Sequence, residues 1–351
     1  MAVVVAALGL PWGVAQAATP TAPAVHRVDV NTLPKGPEPR VAYLTGRLLH
    51  TPSGRVIALP FPKARASYLE LLGPSPRGWL VADRRGQEVY GIERDGSRHP
   101  LVDVAHAEPG YPGFADLTLS TNHHLLLATF YERDDTVLLT VYNLAGDEVD
   151  SFYSGFGPDD SLDHPAPIAF VGRDVWLVYT WKADEPLMRW TMGSEPVDTG
   201  LTTVVQVDPV HDQVLWKPAA SSEYGLSALS APGDLLWTAP LKASEPGGES
   251  FSPDGTKFVG DDSHRVFVQS AADGHVVAAD AFTAPHALVD VVAVRWEGSR
   301  HVLVEVAKQK PTEAYLSPKD PHAVLRCDLE SHCTRTTLWQ RHWLLGWALP
   351  Y

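Results

Sequence analysis

The chain has 351 residues, 44% of them hydrophobic and 20% charged, with a formal net charge of −14. That balance is globular, and the 30 prolines and 27 glycines are scattered rather than clustered, which excludes a low-complexity chain. Nucleic acid and anionic lipid are disfavoured as partners, because the longest basic run is Arg84-Arg85 and no basic stripe exists.

At the N-terminus, Val3 to Leu10 is apolar and Pro11 ends the run; Ala15-Gln16-Ala17 then fits a small-x-small cleavage site. Residues 1–17 are read as a signal peptide, although no Lys or Arg precedes the apolar run; a buried N-terminal strand is the competing reading. Residues 18–39 are expected to be a flexible segment, and 40–351 one domain. No stretch reaches the ~20 apolar residues that a membrane-crossing helix needs. The expected location is secreted or extracytoplasmic, in the cell envelope.

Two interleaved sets of turn signals organise the rest. The first contains Ser75-Pro76-Arg77-Gly78, Ser120-Thr121-Asn122, Val171-Gly172-Arg173, Val210-His211-Asp212, Ser252-Pro253-Asp254-Gly255 and Trp296-Glu297-Gly298, in steps of 40 to 50 residues. The second contains Ser53-Gly54, Asp95-Gly96, Ala145-Gly146, Met192-Gly193, Pro232-Gly233, Asp273-Gly274 and Glu330-Ser331, in steps of 40 to 57. Pro presets φ, Asp and Asn cap their own backbone, and Gly accepts φ > 0, so these are hairpin turns. Four short strands per period of ~40–50 residues is the pattern of propeller blades. Strands such as Leu125-Leu126-Leu127-Ala128 and Val175-Trp176-Leu177-Val178 are continuously apolar, as strands buried on both faces are. No window shows sustained helical periodicity, so the fold is all-β: a seven-bladed β-propeller of four-stranded antiparallel blades.

The first blade has only three strands of its own, within 41–59, and the stretch Trp343 to Leu349 is expected to supply the fourth. Closure of this kind removes two open sheet edges. The segment Phe251-Ser252-Pro253-Asp254-Gly255-Thr256-Lys257-Phe258 resembles the WD40-like repeats of TolB-type propellers. Residues 41–55, the hairpin 326–333 and Leu345-Gly346-Trp347 resemble exported bacterial propeller proteins of uncharacterised function. The Gly-His and Trp-Asp pairs of eukaryotic WD40 repeats are absent. The resemblance implies the fold and a scaffold's habit of binding, and it carries over no catalytic residue.

Cys327 and Cys333 flank the last hairpin turn and are expected to form a disulfide, since facing positions across an antiparallel pair lie close enough to bridge. The competing reading, two thiols on a metal with His332 between them, lacks a fourth ligand at zinc spacing. The histidines show no metal spacing, and His123-His124 would point to opposite faces of a strand. Asp159, Asp160 and Asp163 offer three carboxylates in five positions, as a calcium loop would, but lack the Gly and terminal Glu of an EF-hand and read as solvated. Asp261-Asp262-Ser263-His264 is a second acidic turn. There is no Gly-x-Ser-x-Gly elbow. Most of the 11 Trp residues adjoin the turns, where blades pack. No catalytic, cofactor or metal site is assigned. The function expected is non-catalytic binding of a protein or a cell-envelope glycan or peptide on one propeller face, by a monomer. The alternative is a carbohydrate-active hydrolase or lyase using rim carboxylates.

Overall fold

The computed structural model describes residues 24–103, 114–131, 137–154, 165–179, 186–218, 223–239, 251–285, 288–309, 320–340 and 345. They form seven sheets arranged as the blades of a β-propeller. β1 (His26–Asp29) precedes the ring. Blade 1 contains β2 (Tyr43–Thr45), β3 (Leu48–His50) and β4 (Val56–Ala58); blade 2 contains β5 (Leu69–Ser75), β6 (Gly78–Asp83), β7 (Glu88–Glu93) and β8 (Arg98–Asp103). Blade 3 is β9 (Phe114–Leu119), β10 (Leu125–Tyr131), β11 (Val137–Asn143) and β12 (Glu148–Ser154), and blade 4 is β13 (Pro165–Val171), β14 (Asp174–Tyr179), β15 (Pro186–Thr191) and β16 (Val197–Thr202). Blade 5 is β17 (Val204–Asp208), β18 (Gln213–Trp216), β19 (Tyr224–Ala228) and β20 (Leu235–Ala239). Blade 6 has β21 (Lys257–Asp261), β22 (Arg265–Ser270) and β23 (Val276–Thr283); blade 7 has β24 (Leu288–Trp296), β25 (His301–Gln309), β26 (His322–Asp328) and β27 (Cys333–Arg335). Among the described residues the one helical element is a 3-10 turn, Lys63–Tyr68, and no helix is long and apolar enough to cross a membrane.

Both sets of turn signals land where they were expected. Ser252-Pro253-Asp254-Gly255 makes the hairpin before β21, marked by an antiparallel bridge between Phe251 and Phe258. Asp254 accepts hydrogen bonds from Ser252 Oγ (2.7 Å) and from Thr256 N and Oγ1, which hold its carboxyl below the usual carboxylate range. Gly255 sits at φ 65°, and a Cβ there would come within 2.4 Å of the His211 ring in blade 5. That glycine is required twice over, by backbone angle and by the approach of the neighbouring blade.

The core is divided by interface. Leu44, Leu49 and Ile57 of blade 1 pack with Leu71, Val81 and Ile92 of blade 2. Similar clusters join blades 2 and 3, 3 and 4, 4 and 5, 5 and 6, and 6 and 7. The seventh interface is Tyr43 of blade 1 against Ala293, Leu303 and Val324 of blade 7, with Leu345 fully buried among them. Trp190, Trp176 and Trp296 belong to these clusters, and Trp79, Trp216 and Trp237 pack against them.

Leu345 is the one described residue of the C-terminal strand expected to complete blade 1; the rest of 343–349 lies outside the described residues, as do 1–23. Two blade 7 carboxylates hold this junction. Glu305 Oε2 accepts a hydrogen bond from Leu345 N (2.8 Å), while Oε1 meets His322 Nδ1 at 2.9 Å. Glu297 accepts from Arg40 N, just ahead of blade 1, and from Arg326 Nε (2.5 Å).

The segment expected to be flexible, 18–39, differs from that expectation over its described part. β1 pairs in parallel with β23, adding a strand outside blade 6. Val30 N donates to Thr283 O, and Lys35 to Gly36 then bridge Arg335 on the outer strand of blade 7. The physical reason is apolar burial with strand alternation: Val28 and Val30 are buried, while Asp29 between them is only partly so. The extension thus straps the outer edges of two blades before entering a third.

Leu345→Ala is expected to destabilise the entire ring by about 2–5 kcal/mol, the range for a fully buried Leu truncated to Ala, with unfolding still a single transition. Denaturant titration followed by near-UV circular dichroism measures this. A loss below ~1 kcal/mol would remove Leu345 from the closure.

Candidate functional site

Because successive strands run antiparallel, the first-to-second and third-to-fourth turns of every blade lie on one face of the ring. Second-to-third turns and blade-to-blade connections lie on the other. Both sets of tight turns therefore share one face. The opposite face carries the longer link 59–68. Loops held by a rigid scaffold are where binding and catalytic groups concentrate, so the candidate site is sought there.

The first strands of neighbouring blades touch one another (β5 with β9, β9 with β13, β13 with β17), which makes them the inner ring. Glu70 on β5 is buried, and burial pushes its carboxyl upward against the pull of Arg84, whose Nε lies 2.5 Å from Oε2. Arg295 on β24 draws it down further, and Asp116 on β9 pushes it up. Four charged groups from three blades thus share one electrostatic neighbourhood at the channel.

Around the loop-face end of β5 and β6, the 3-10 turn Lys63–Tyr68 meets the turn between β6 and β7, with Arg84 N donating to Tyr68 O at 2.9 Å. Asp83 organises that turn: Oδ1 accepts from Arg85 N and Gly86 N, and Oδ2 binds Arg65 Nη1 at 2.7 Å. The result presents Arg85 to solvent over the Tyr68 ring, 5.5 Å from its centroid, with Tyr68 itself 43% exposed. Among the described residues Arg85 has no carboxylate partner, while its neighbours Arg65 and Arg84 are both paired. An exposed cation on an aromatic face suits an anionic group with a flat or apolar flank.

A cleft of about 330 Å³ opens between blades 4 and 5, lined by Trp176, Arg189, Thr191, Asp198, Leu229 and Pro232. Its guanidinium is already committed: Arg189 lies over Trp176 (5.3 Å) and binds Asp174 at 2.7 Å. Burial tends to raise Asp174, but Arg189 and Thr191 outweigh it and the carboxyl sits low. Arg189 and Asp174 are thus committed to one another, while Trp176 Nε1 has no hydrogen-bond partner among the described residues.

On the same loop face, the Asp261-Asp262-Ser263-His264 turn is structural. His264 Nδ1 contacts Val289 O and Asp290 Oδ1, both at 2.9 Å, and Asp262 pairs with Arg265. The other acidic candidates, Asp159, Asp160 and Asp163, lie outside the described residues. His123 is half-buried and His124 exposed at their turn. The disulfide Cys327–Cys333 forms between directly opposed positions of β26 and β27. Sequence reading noticed Arg84-Arg85 as the one basic doublet but missed Tyr68 and Glu70. The signal available for Glu70 was an acid inside the apolar run Leu69-Glu70-Leu71-Leu72.

No protein-family profile matches the sequence. No curated protein matches it either. Among solved structures, a chain of the mitotic checkpoint complex aligns over 93% of this chain and 91% of its own at 11% identity, with a TM-score of 0.50. An uncharacterized protein from Listeria monocytogenes EGD-e aligns over 78% and 84% at 8% identity (TM-score 0.49), and a streptogramin B lyase over 75% and 91% at 9% (TM-score 0.46). At such identities the likeness is one of fold.

Asp261 gives a pH prediction. Burial pushes its carboxyl from 3.8 up to about 6, opposed by the Ser263 amide and reinforced by Asp262. Between about pH 4 and 6 the native state then holds a proton that the unfolded chain has lost, so stability falls as pH rises through that window. Asp261→Asn is expected to flatten that slope and to raise stability at neutral pH by up to about 2–3 kcal/mol. Urea titrations from pH 4 to 8 check it; an unchanged slope refutes the assignment.

Proposed function

We propose that the chain is an extracytoplasmic, non-catalytic binding or scaffold protein that takes a protein or cell-envelope ligand on its loop face, beside the channel mouth. The observation that carries this reading is Arg85 over the exposed Tyr68 ring, held by Asp83 on a rigid blade. A ligand carrying a carboxylate or other anionic group next to apolar surface complements that pair, and the protein's own net charge of −14 makes such a local cation a distinctive feature. The disulfide is compatible with an oxidising compartment, and so with the signal peptide read at residues 1–17.

The second reading, a carbohydrate-active hydrolase or lyase, is favoured by one observation. Glu70 and Asp116 stand on adjacent inner strands, with the Glu70 carboxyl pushed upward by burial beside Arg84 and Arg295. A carboxyl raised in this way is the form that serves as a general acid.

Pull-down from a native envelope extract with the wild-type chain, Arg85→Glu and Tyr68→Ala separates these readings. The binding reading expects one or more partners retained by wild type and lost at least ~10-fold with Arg85→Glu, the size of an interface hot spot worth ~1.4 kcal/mol or more. Equal retention by both variants would move the site elsewhere. Depolymerisation of envelope glycans by wild type that disappears in Glu70→Gln would establish the second reading instead.

A further inference from the structure

The cleft between blades 4 and 5 lies on the tight-turn face, opposite the loop face. Thr191 and Val197 flank the β15–β16 turn, while Leu229 and Pro232 belong to the link between β19 and β20. Its volume of about 330 Å³ is at the small end of ligand clefts, which run from ~300 to ~1,000 Å³, so it suits one side chain and not a large molecule. Val197, Leu229 and Pro232 give it apolar walls. Trp176 also lines it, more than nine-tenths buried, and its Nε1 finds no acceptor among the described residues. Apolar surface continues past the cleft: Val197 is 64% exposed and Leu236, on the strand that follows Pro232, is 65% exposed. The charge around this surface is one-sided. Residues 173–176, 189–199 and 228–236 carry Asp174, Glu195, Asp198 and Asp234 against Arg173 and Arg189. Asp212 joins them through hydrogen bonds from Ser230 N (2.7 Å) and Oγ (2.5 Å). Arg189 is neutralised by Asp174, and Arg173 donates to Met192 O at 2.9 Å. Asp198 accepts the Gly200 amide (2.6 Å), and among the described residues Glu195, Asp198 and Asp234 form no salt bridge.

We propose that this cleft is a docking slot for a basic peptide segment of another protein, which inserts one leucine-sized side chain beside Trp176, Val197 and Leu229 and sets flanking Lys or Arg against Asp198 and its acidic neighbours. A main-chain carbonyl entering with that side chain gives Trp176 Nε1 the acceptor it lacks. An apolar anchor in a small pocket concentrates binding energy, and the surrounding charge steers association and selects the partner's sign. A second copy of this chain is the wrong occupant, because it brings the same carboxylates and a net charge of −14. The slot lies on the face opposite Arg85 and takes the opposite charge, so it stands or falls independently of any ligand bound at the loop face.

The test uses the full chain with its indole groups labelled with nitrogen-15. The probe is the peptide acetyl-Gly-Lys-Leu-Lys-Gly-amide, compared with one form in which Gly replaces the Leu and another in which Glu replaces both Lys. Calorimetry gives the affinities, and Trp176→Phe, which keeps an aromatic ring without the N–H, assigns the Trp176 indole signal. The basic leucine peptide is expected to bind saturably and to move that signal downfield, with affinity falling as salt rises. Both control peptides are expected to bind at least ~10-fold more weakly, the Gly form because it forfeits the burial of one Leu side chain. Asp198→Lys, at an exposed position, is expected to weaken binding at least ~5-fold, the upper end for one exposed ion pair. The remaining indole signals, unmoved, report that each variant is folded. Three results overturn the proposal: no saturable binding at millimolar peptide, equal binding of the acidic form, or unchanged affinity in Asp198→Lys.

Discussion

Ring closure through Glu297 and Glu305 is the constraint on which the rest of this structure depends. Each interface between blades buries two apolar sheet faces, so one opened interface exposes both at once and frees its neighbours to separate. Six junctions are covalently continuous through the chain. The seventh joins the two chain ends, and there packing is supplemented by charge. Glu305 and His322 are fully buried, and a buried carboxylate without partners is strongly destabilising. Glu305 is satisfied by His322 and by the backbone of Leu345. Closure therefore removes a penalty as well as adding contact area. Glu297 acts likewise at the other end, receiving Arg40 N and Arg326. Blade 7 is a double clasp for the entering and leaving chain.

The closed ring also divides labour between its faces. Strand alternation places both sets of glycine-marked hairpins on one side, where Gly255 lies against His211 and Gly274 would meet Trp237 if it carried a Cβ. The turns at Gly255 and Gly274 are packing elements, intolerant of added volume, whereas Gly54, Gly172, Gly233 and Gly298 face open space and answer to backbone angle alone. On the other side the 59–68 link packs against the β6–β7 turn, and there Arg85 and Tyr68 reach solvent.

The fold was legible because hairpins require particular backbone angles, and few residues supply them. Gly54, Gly96, Gly146, Gly172, Gly193, Gly233, Gly255, Gly274 and Gly298 all have positive φ, so the turns were written in residue type. The strap was less legible. His26-Arg27-Val28-Asp29-Val30 alternates as a strand does, but its partner β23 lies about 250 residues away and parallel pairing leaves no local turn signal. The channel charges were least legible: Glu70, Asp116 and Arg295 are brought together by the closed ring, and no spacing in the chain encodes that. Arg85 was visible as part of a doublet, while its lack of a carboxylate partner among the described residues is a property of the folded surface.

The strap bears on how the outer rim is managed. Exposed strand edges invite pairing with other chains, and in blades 6 and 7 the edge is occupied by β1 and by Lys35 against Arg335. The outermost strands of blades 3, 4 and 5 instead expose Val149, Tyr153, Val197, Leu235 and Leu236, among Glu148, Asp150, Asp198 and Asp234. Interspersed carboxylates repel the edge of a second copy carrying the same charges, so a net charge of −14 does at blades 3 to 5 what the strap does by direct pairing at blades 6 and 7. Among the described residues, covering by chain is seen at blades 6 and 7. An intruding strand at that edge would compete with β1, whose buried Val28 and Val30 pack on the interface between blades 6 and 7. The strap thus belongs to the clasp: it shields the outer edge of the blade whose inner residues hold the ring shut.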